Sequence, residues 1–302
     1  MRASLVIAWL LATTHAHADK PTLAALAPAR DARQAVAIGP AGEVYAPDGN
    51  GAWVRTQAGG MAEEVVTATA IGATVIAGAK GSTPFKLKRG AWTALVLPLK
   101  TKPILGTGSR VLAVAGKSVF ALDKLQPKKL VDVPPEVTVT ALGASAAGVM
   151  LATDKGLMRI VKGKLAPLKH KKAPKSVRAL VNDRWALVDR GVLDLKTLKP
   201  YLWPSGVHIV EATTLGNDFI GVSMHGKTVE LISIKGGKPV REKVPIDNPK
   251  QVVGVVADKQ QRVAIALRDG RIALRVRGTW TISEVREELA APKPGPAPAE
   301  SK

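Results

Sequence analysis

Short apolar runs separated by glycine-containing turns recur along most of the chain, from about residue 35 to residue 289. In each unit, an apolar run is followed by a turn and by a second run that alternates apolar and polar residues. The turn glycines are spaced by 30, 35, 40, 35, 35 and 44 residues and are Gly51, Gly81, Gly116, Gly156, Gly191, Gly226 and Gly270. Because glycine adopts positive φ without steric cost, this pattern predicts a β-hairpin repeated seven times.

The two strands of each hairpin differ in their predicted burial. Runs such as Val111–Ala115 are apolar throughout, which is typical of strands covered on both faces, whereas Met158–Lys162 alternates and predicts one wet face. Further apolar runs flank most hairpins, so we expect units of four strands. A four-stranded unit cannot cover its own faces, and radial stacking would bury them. The predicted fold is therefore all-β, a seven-bladed β-propeller of four-stranded antiparallel blades. A two-sheet sandwich is the weaker alternative because the same internal order recurs seven times.

The segments outside the repeats have their own compositions. Residues 1–18 combine Arg2, an apolar run and an Ala16-His17-Ala18 motif, which predicts a signal peptide cleaved near Ala18 and a periplasmic or secreted protein. Residues 19–34 form an N-terminal strap or closing strand, residues 35–289 the propeller, and residues 290–302 a disordered Pro- and Ala-rich tail. Two ways of closing the ring are possible: Pro21–Ala29 adds a strand to the last blade, or Thr279–Val285 completes that blade alone. Recurring tryptophans, Trp53, Trp92 and Trp280, are expected to wedge between blades.

Basic residues are in large excess, with a formal net charge of +20, and they are unevenly spread. Nine Lys and Arg and no acid lie between Lys155 and Arg178. Such an excess attracts polyanions, although a merely solubilising surface is the other interpretation. The candidate polyanion-binding residues are Lys162, Lys164, Lys169, Lys171, Lys172 and Lys175. Because these stretches lack aromatic rings for base stacking, no specific nucleic acid is expected.

Residues 149–165, with Ala152-Thr153-Asp154, Gly156-Leu157 and Gly163-Lys164, resemble the repeat of two-component-regulator sensor propellers. Residues 83–95 are similar to it, and both also resemble WD-repeat-like (YVTN-like) and neuraminidase-type repeats. The resemblance implies a seven-bladed periplasmic propeller that binds ligands or partners at one end of a central channel.

No catalytic constellation stands out. The chain has no cysteine, and His170, His208 and His225 have no partner at metal-ligand spacing, so neither a metal nor a cofactor is expected. Asp48-Gly49-Asn50-Gly51 faintly resembles a calcium loop, but Asn-Gly favours a hairpin turn. We therefore expect a non-enzymatic, monomeric binding or scaffolding propeller that contacts a protein or an anionic envelope component. The alternative is a propeller hydrolase or lyase with a polar site in the channel. Two carboxylates, or a histidine and a carboxylate, meeting at one channel mouth would favour that alternative.

Overall fold

A computed structural model describes residues 20–27, 35–48, 51–57, 59–71, 74–80, 84–88, 90–95, 104–108, 111–122, 127–145, 148–168, 176–181, 184–204, 206–258 and 262–289. All regular elements in these ranges are β-strands, 28 in number. The predicted signal peptide and the predicted tail lie outside the described residues. The all-β prediction is confirmed.

The 28 strands of the described ranges form seven consecutive antiparallel units of four, here called units 1 to 7. Unit 1 contains β1 Ala25–Ala27, β2 Val36–Ile38, β3 Val44–Pro47 and β4 Trp53–Gln57, and unit 2 contains β5 Val65–Ile71, β6 Thr74–Ala79, β7 Pro84–Lys88 and β8 Ala91–Ala94. Unit 3 contains β9 Ile104–Gly108, β10 Leu112–Ala115, β11 Ser118–Ala121 and β12 Lys128–Asp132, and unit 4 contains β13 Val139–Ser145, β14 Gly148–Thr153, β15 Gly156–Val161 and β16 Lys164–Pro167.

The remaining units follow the same order. Unit 5 contains β17 Ala179–Val181, β18 Trp185–Val188, β19 Gly191–Asp194 and β20 Lys199–Leu202. Unit 6 contains β21 Ile209–Leu215, β22 Asp218–His225, β23 Thr228–Lys235 and β24 Lys238–Val244. Unit 7 contains β25 Val252–Ala257, β26 Val263–Leu267, β27 Arg271–Val276 and β28 Thr279–Leu289.

Hydrogen bonding joins these strands of the described chain into five sheets, which corrects the prediction of seven separate blades. Three sheets have four strands and two have eight. The larger sheets arise because β9 pairs in parallel with β13, and because the end of β28 pairs in parallel with β4. The physical reason is close approach: neighbouring units come near enough at these two places for backbone groups to form ladder bonds between them.

The first strand of every unit lies innermost. Each of these strands contacts the first strand of the next unit, and β25 of unit 7 contacts β1 of unit 1, so the circle of contacts is closed. Apolar clusters fill the spaces between neighbouring units; one of them joins Val222 and Leu231 of unit 6 to Val263 and Ile265 of unit 7. The sheets therefore bury their apolar faces against their neighbours, as a propeller requires.

Ring closure involves both ends of the described chain. β1 is the inner strand of unit 1 rather than an added strand of the last unit, and Leu23 N–H donates to the Arg268 carbonyl at 3.0 Å. A Cβ on Gly254 would lie 2.6 Å from the Leu26 Cβ, so glycine permits β1 to pack against β25. β28 completes unit 7 and then extends beside β4.

The predicted tryptophan wedges are confirmed. Trp53 is 1% exposed in the cluster between units 7 and 1. Trp92 Nε1 donates to the Gly42 carbonyl of unit 1 at 2.7 Å, and Trp280 Nε1 donates to Glu242 of unit 6 at 2.7 Å. Each indole thus ties its own unit to the one before it.

Candidate functional site

Only two of the six predicted polyanion-binding lysines lie in the described residues. Lys162 and Lys164 are exposed at the turn that precedes β16. Lys169, Lys171, Lys172 and Lys175 lie outside the described residues. The chain must cross β16 before it reaches them, so the prediction of one continuous lysine site stays untested.

Basic residues recur at equivalent turns of successive units. In an antiparallel four-stranded unit, the turns after strands one and three lie at one end of the sheet, and the other turns lie at the opposite end. Among the described residues, units 2 to 7 all carry an exposed base at or beside the turn between strands three and four. We call these nine residues the basic rim: Lys88, Lys128, Lys162, Lys164, Lys196, Lys199, Lys235, Lys238 and Arg277.

The acids at the same ends of the sheets do not neutralise the basic rim. Asp194 is buried, and it accepts hydrogen bonds from Arg184 at 3.1 Å and from the Lys196 N–H at 2.9 Å. Burial raises the pKa of Asp194, but these hydrogen bonds outweigh it and hold the pKa of the carboxyl below its ordinary value. Asp258 is likewise buried against Arg262. Within the described ranges, no residue of the basic rim pairs with a carboxylate.

The opposite ends of the sheets are mixed in charge. There, Lys80 pairs with Glu64 at 3.3 Å, and Arg271 pairs with Asp269 at 2.8 Å. Asp154 accepts a hydrogen bond from the Thr138 N–H at 2.8 Å and links a turn to the chain between units. The excess of positive charge is therefore concentrated at one end of the sheets.

Two residues of the basic rim hold an unfavourable backbone conformation. Lys162 has φ of 48° and Arg277 has φ of 50°, in the left-handed region that normally favours glycine. At the corresponding turn of unit 6, glycine occupies that position, since Gly236 has φ of 53°. At these two turns a basic residue occupies a position where glycine would be less strained. Strained residues cluster at functional sites, so this pattern indicates that the positive charge has a function.

Neighbouring segments of the basic rim approach each other. The Lys199 ammonium of unit 5 lies 5.1 Å from the Tyr201 ring centroid. A Cβ built on Gly237, in the strand-three-to-four turn of unit 6, would lie 4.0 Å from Lys199 Nζ. Lys199 is therefore close to the turn that carries Lys235 and Lys238, and three cations of two units share one region.

The inner strands contain one ionisable group. Glu211, on β21, is the only carboxylate in the sequence of the seven first strands, and it is partly exposed. Burial alone raises the pKa of Glu211 to about 7. Within the described first strands, no second carboxylate accompanies Glu211.

The other candidate residues take structural positions. His208 is exposed in the segment before β21, and His225 Nδ1 lies 3.4 Å from the Gly206 carbonyl oxygen; His170 lies outside the described residues. Asp48 closes the β3–β4 turn by accepting a hydrogen bond from Ala52 N–H at 3.2 Å, in agreement with the turn interpretation. No group of three His, Asp or Glu residues in the described ranges is arranged to hold a metal ion.

The chain matches no protein-family model and no curated protein. It is similar in structure to PorZ, a bacterial surface component of the type-IX secretion system of Porphyromonas gingivalis, with a TM-score of 0.62 and 14% identity. That likeness covers 91% of this chain but 39% of PorZ. The WD40 propeller domain of Doa1 gives a TM-score of 0.60 at 13% identity and covers 86% of this chain and 93% of that one.

YCF48 from Cyanidioschyzon merolae gives a TM-score of 0.57 at 13% identity, over 86% of this chain and 96% of that one. At such identities the likeness concerns the fold alone, and it supports a β-propeller. In the described part of the chain, no helix has the length and apolar character needed to cross a membrane.

Proposed function

We propose that this chain is a non-enzymatic binding propeller that docks onto an anionic polymer or surface through the basic rim. The observation that carries the proposal is the recurrence, in units 2 to 7 of the described chain, of bases without a carboxylate partner at one turn position. Two acids at the same sheet ends, Asp194 and Asp258, are instead buried against arginine. A ring of separated cations suits an extended polyanion better than a small anion, since each unit supplies only one or two charges.

In this proposal the seven units, rather than the five hydrogen-bonded sheets, are the blades. Support comes from the closed circle of contacts among the seven first strands. Within each eight-stranded sheet, the two units meet through one short parallel ladder, whereas all pairing inside a unit is antiparallel.

Export through the predicted signal peptide would place the basic rim outside the cytoplasm, where lipid headgroups and acidic glycans are the abundant polyanions. PorZ, one of the similar structures, is itself a bacterial surface component. The protein partner expected from sequence stays a proposal beside the anionic one.

The test compares two variants of equal charge change. In the rim variant, Lys162, Lys164, Lys235 and Lys238 become Gln. In the control variant, four exposed lysines near the opposite ends of the sheets become Gln, namely Lys117, Lys155, Lys227 and Lys250. Binding to heparin and to vesicles containing anionic lipid is measured over a range of salt concentrations.

We expect wild-type binding to fall steeply with salt, and the rim variant to lose roughly one unit of the log–log salt slope for each contact removed. The control variant should keep most of the wild-type affinity. Equal losses in both variants would mean that net charge alone drives adsorption, and the basic rim would then have no special role. Wild-type binding that does not change with salt would also exclude the proposal.

A further inference from the structure

A pocket lies between the central turn of unit 6 and the connector that leads from β24 to β25. Its volume is about 650 Å³, and the residues that line it are Lys227, Lys243, Pro245, Ile246, Asp247 and Asn248. Lys227 belongs to the turn between β22 and β23, and Lys243 is the last residue but one of β24. The pocket therefore lies at the ends of the sheets opposite to the basic rim.

Unit 3 has the same central turn, and there the corresponding contact is made. Both turns have the order Gly-Lys, and their glycines, Gly116 and Gly226, have φ of 59° and 58°. In unit 3, Lys117 Nζ donates to the carbonyl of Pro135, in the connector from β12 to β13, at 2.8 Å. Lys227 has the matching position in unit 6 but makes no hydrogen bond or ion pair with any described residue. In unit 6 the pocket occupies the space that the lysine contact closes in unit 3.

The second lysine of the pocket also has no carboxylate partner in the described chain. Lys243 stands directly opposite Glu230 in the ladder between β23 and β24. However, the carboxylate of Glu230 accepts a hydrogen bond from Arg241 Nε at 3.1 Å. The acid nearest to Lys243 along the ladder is therefore already paired, and two ammonium groups line the pocket without a partner among the described residues.

The connector that forms the other wall of the pocket is held in place by Arg271 of unit 7. The guanidinium donates to the carbonyls of Asp247 at 2.6 Å and Asn248 at 2.9 Å, and it pairs with Asp269 at 2.8 Å. Ile246 is 5% exposed and packs in the apolar cluster between units 6 and 7. Because these contacts fix the wall before any ligand arrives, binding does not require the connector to become ordered.

The acid among the lining residues does not cancel the two ammonium groups. The pKa of Arg271 is raised chiefly by its hydrogen bond to Asp269, and the charge of Asp247 adds to this effect. Asp247 thus has a cation beside it besides the two lysines. The lining keeps an excess of positive charge, which attracts an anion. Asn248 adds a side-chain amide, which can donate hydrogen bonds to the oxygens of such an anion.

We propose that the pocket binds a small organic phosphate monoester, with Lys227 and Lys243 as the cations for the phosphate group and Pro245 beside the organic part. Two ammonium groups suit the double negative charge of a phosphate monoester better than the single charge of a carboxylate. A volume of about 650 Å³ exceeds what inorganic phosphate would fill, and it lies within the range of about 300–1,000 Å³ that is usual for small-molecule sites.

The pocket is independent of the basic rim, because the two lie at opposite ends of the sheets. The rim variant changes none of the lining residues, so it should keep phosphate binding and lose heparin binding. Lys227 is among the residues changed in the control variant for the basic rim. That variant should therefore show the reverse behaviour, and the two proposals can fail separately.

The experiment uses the full chain and three probes: phenyl phosphate, inorganic phosphate and benzoate. Binding is followed by NMR titration at pH 8, where the phosphate monoester carries close to two charges, in about 0.15 M salt to screen long-range attraction. The pocket variant combines Lys227→Gln and Lys243→Gln. Its matched control combines Lys117→Gln and Lys155→Gln, which remove two exposed lysines from the central turns of units 3 and 4.

We expect phenyl phosphate to bind the wild type and the matched control alike, and to shift the amide signals of residues 226–228 and 246–248. The pocket variant should bind it roughly tenfold more weakly, since two charge-assisted contacts are lost. Inorganic phosphate and benzoate should both bind the wild type more weakly than phenyl phosphate does.

Four results would overturn the proposal. They are an absence of phenyl phosphate binding, equal binding by the pocket variant and its matched control, signal shifts confined to other parts of the chain, and wild-type binding of inorganic phosphate or benzoate as tight as that of phenyl phosphate. Heparin binding by the pocket variant, measured in parallel, verifies that this variant is folded.

Discussion

The buried pair between Asp258 and Arg262 offers a direct test of how the acids near the basic rim are neutralised. Arg262 is 2% exposed and Asp258 is 6% exposed. Asp258 Oδ1 accepts a hydrogen bond from the Arg262 backbone N–H at 2.9 Å, and Oδ2 accepts one from Nε at 2.5 Å. In the variant Arg262→Met, the stem volume is largely kept and the guanidinium is lost, so the buried carboxylate of Asp258 loses its contacts with that group.

Two known costs limit how much Arg262→Met can lower the free energy of unfolding. A carboxylate that loses its cation can escape by taking up a proton, which costs about 4 kcal/mol at pH 7 and about 1.5 kcal/mol at pH 5 for an acid of ordinary pKa. Removal of one partner from a buried pair costs about 3–5 kcal/mol in measured cases. We therefore expect Arg262→Met to lower the free energy of unfolding by about 3–4 kcal/mol at pH 7, and by about half of that at pH 5.

The assay is urea unfolding followed by fluorescence at both pH values. A second substitution, Asp258→Asn, removes the negative charge but keeps an oxygen that can accept a hydrogen bond from the backbone N–H of residue 262. The double variant should therefore recover at least half of the stability that Arg262→Met loses. Lys20→Met is the control: its pair with Glu284 has side chains 78% and 60% exposed and should change stability by less than about 0.5 kcal/mol. A cost below about 1 kcal/mol for Arg262→Met, or a cost independent of pH, would refute this reasoning.

Three further outcomes are expected. Lys162→Asn should raise the free energy of unfolding by roughly 0.5 kcal/mol, because Asn tolerates the φ of 48° better, and it should elute from heparin at lower salt than the wild type. Gly254→Ala should cost about 1–3 kcal/mol in urea unfolding, because the new Cβ would lie 2.6 Å from the Leu26 Cβ and 2.9 Å from its nitrogen. Glu211→Gln should be more stable than the wild type above pH 7, by no more than about 3 kcal/mol, because the folded-state pKa of about 7 exceeds the ordinary 4.5. This difference should appear as the pH rises from about 4.5 to 7 and vanish below that window; a difference that grows towards acid pH would contradict the assignment.

Six of the seven predicted glycine hairpins join strands two and three of a unit. These turns could be predicted because glycine and its immediate neighbours determine where the chain reverses. The first predicted hairpin also forms, and it joins strands three and four of unit 1. Gly51 follows strand three of unit 1, and the central turn of that unit is the segment from Gly39 to Glu43, where Gly39 N–H donates to the Glu43 carbonyl at 2.9 Å. The sequence pattern does not show this offset, because β1 has only three residues, all small or aliphatic, which periodicity cannot separate from a loop.

The five-sheet arrangement and Glu211 could not have been predicted from the sequence. Pairing of β9 with β13 depends on how closely two units approach, which is a property of packing between distant segments. Residues 209–215 have the pattern of an ordinary half-buried strand, and only the fold shows that Glu211 has no partner on the inner circle. The basic rim did leave a signal, because a base precedes glycine at Lys162-Gly163, at Lys235-Gly236 and at Arg277-Gly278. These three bases lie in separate turns of units 4, 6 and 7, so no contiguous basic stretch contains them together.

Arginine and lysine occupy different positions at these sheet ends, and this difference affects how the basic rim would bind a polyanion. Arginine serves the buried pairs at these sheet ends, at Arg184 and Arg262, where its planar fork can donate several hydrogen bonds to one carboxylate. Eight of the nine residues of the basic rim are lysine, a strongly hydrated point charge on a flexible stem. Flexible, hydrated cations spread over six units favour a contact that tolerates many registers of a polymer and depends on the sum of charges. Removal of a single lysine should then lower affinity only slightly, and affinity should decline gradually as several are removed together.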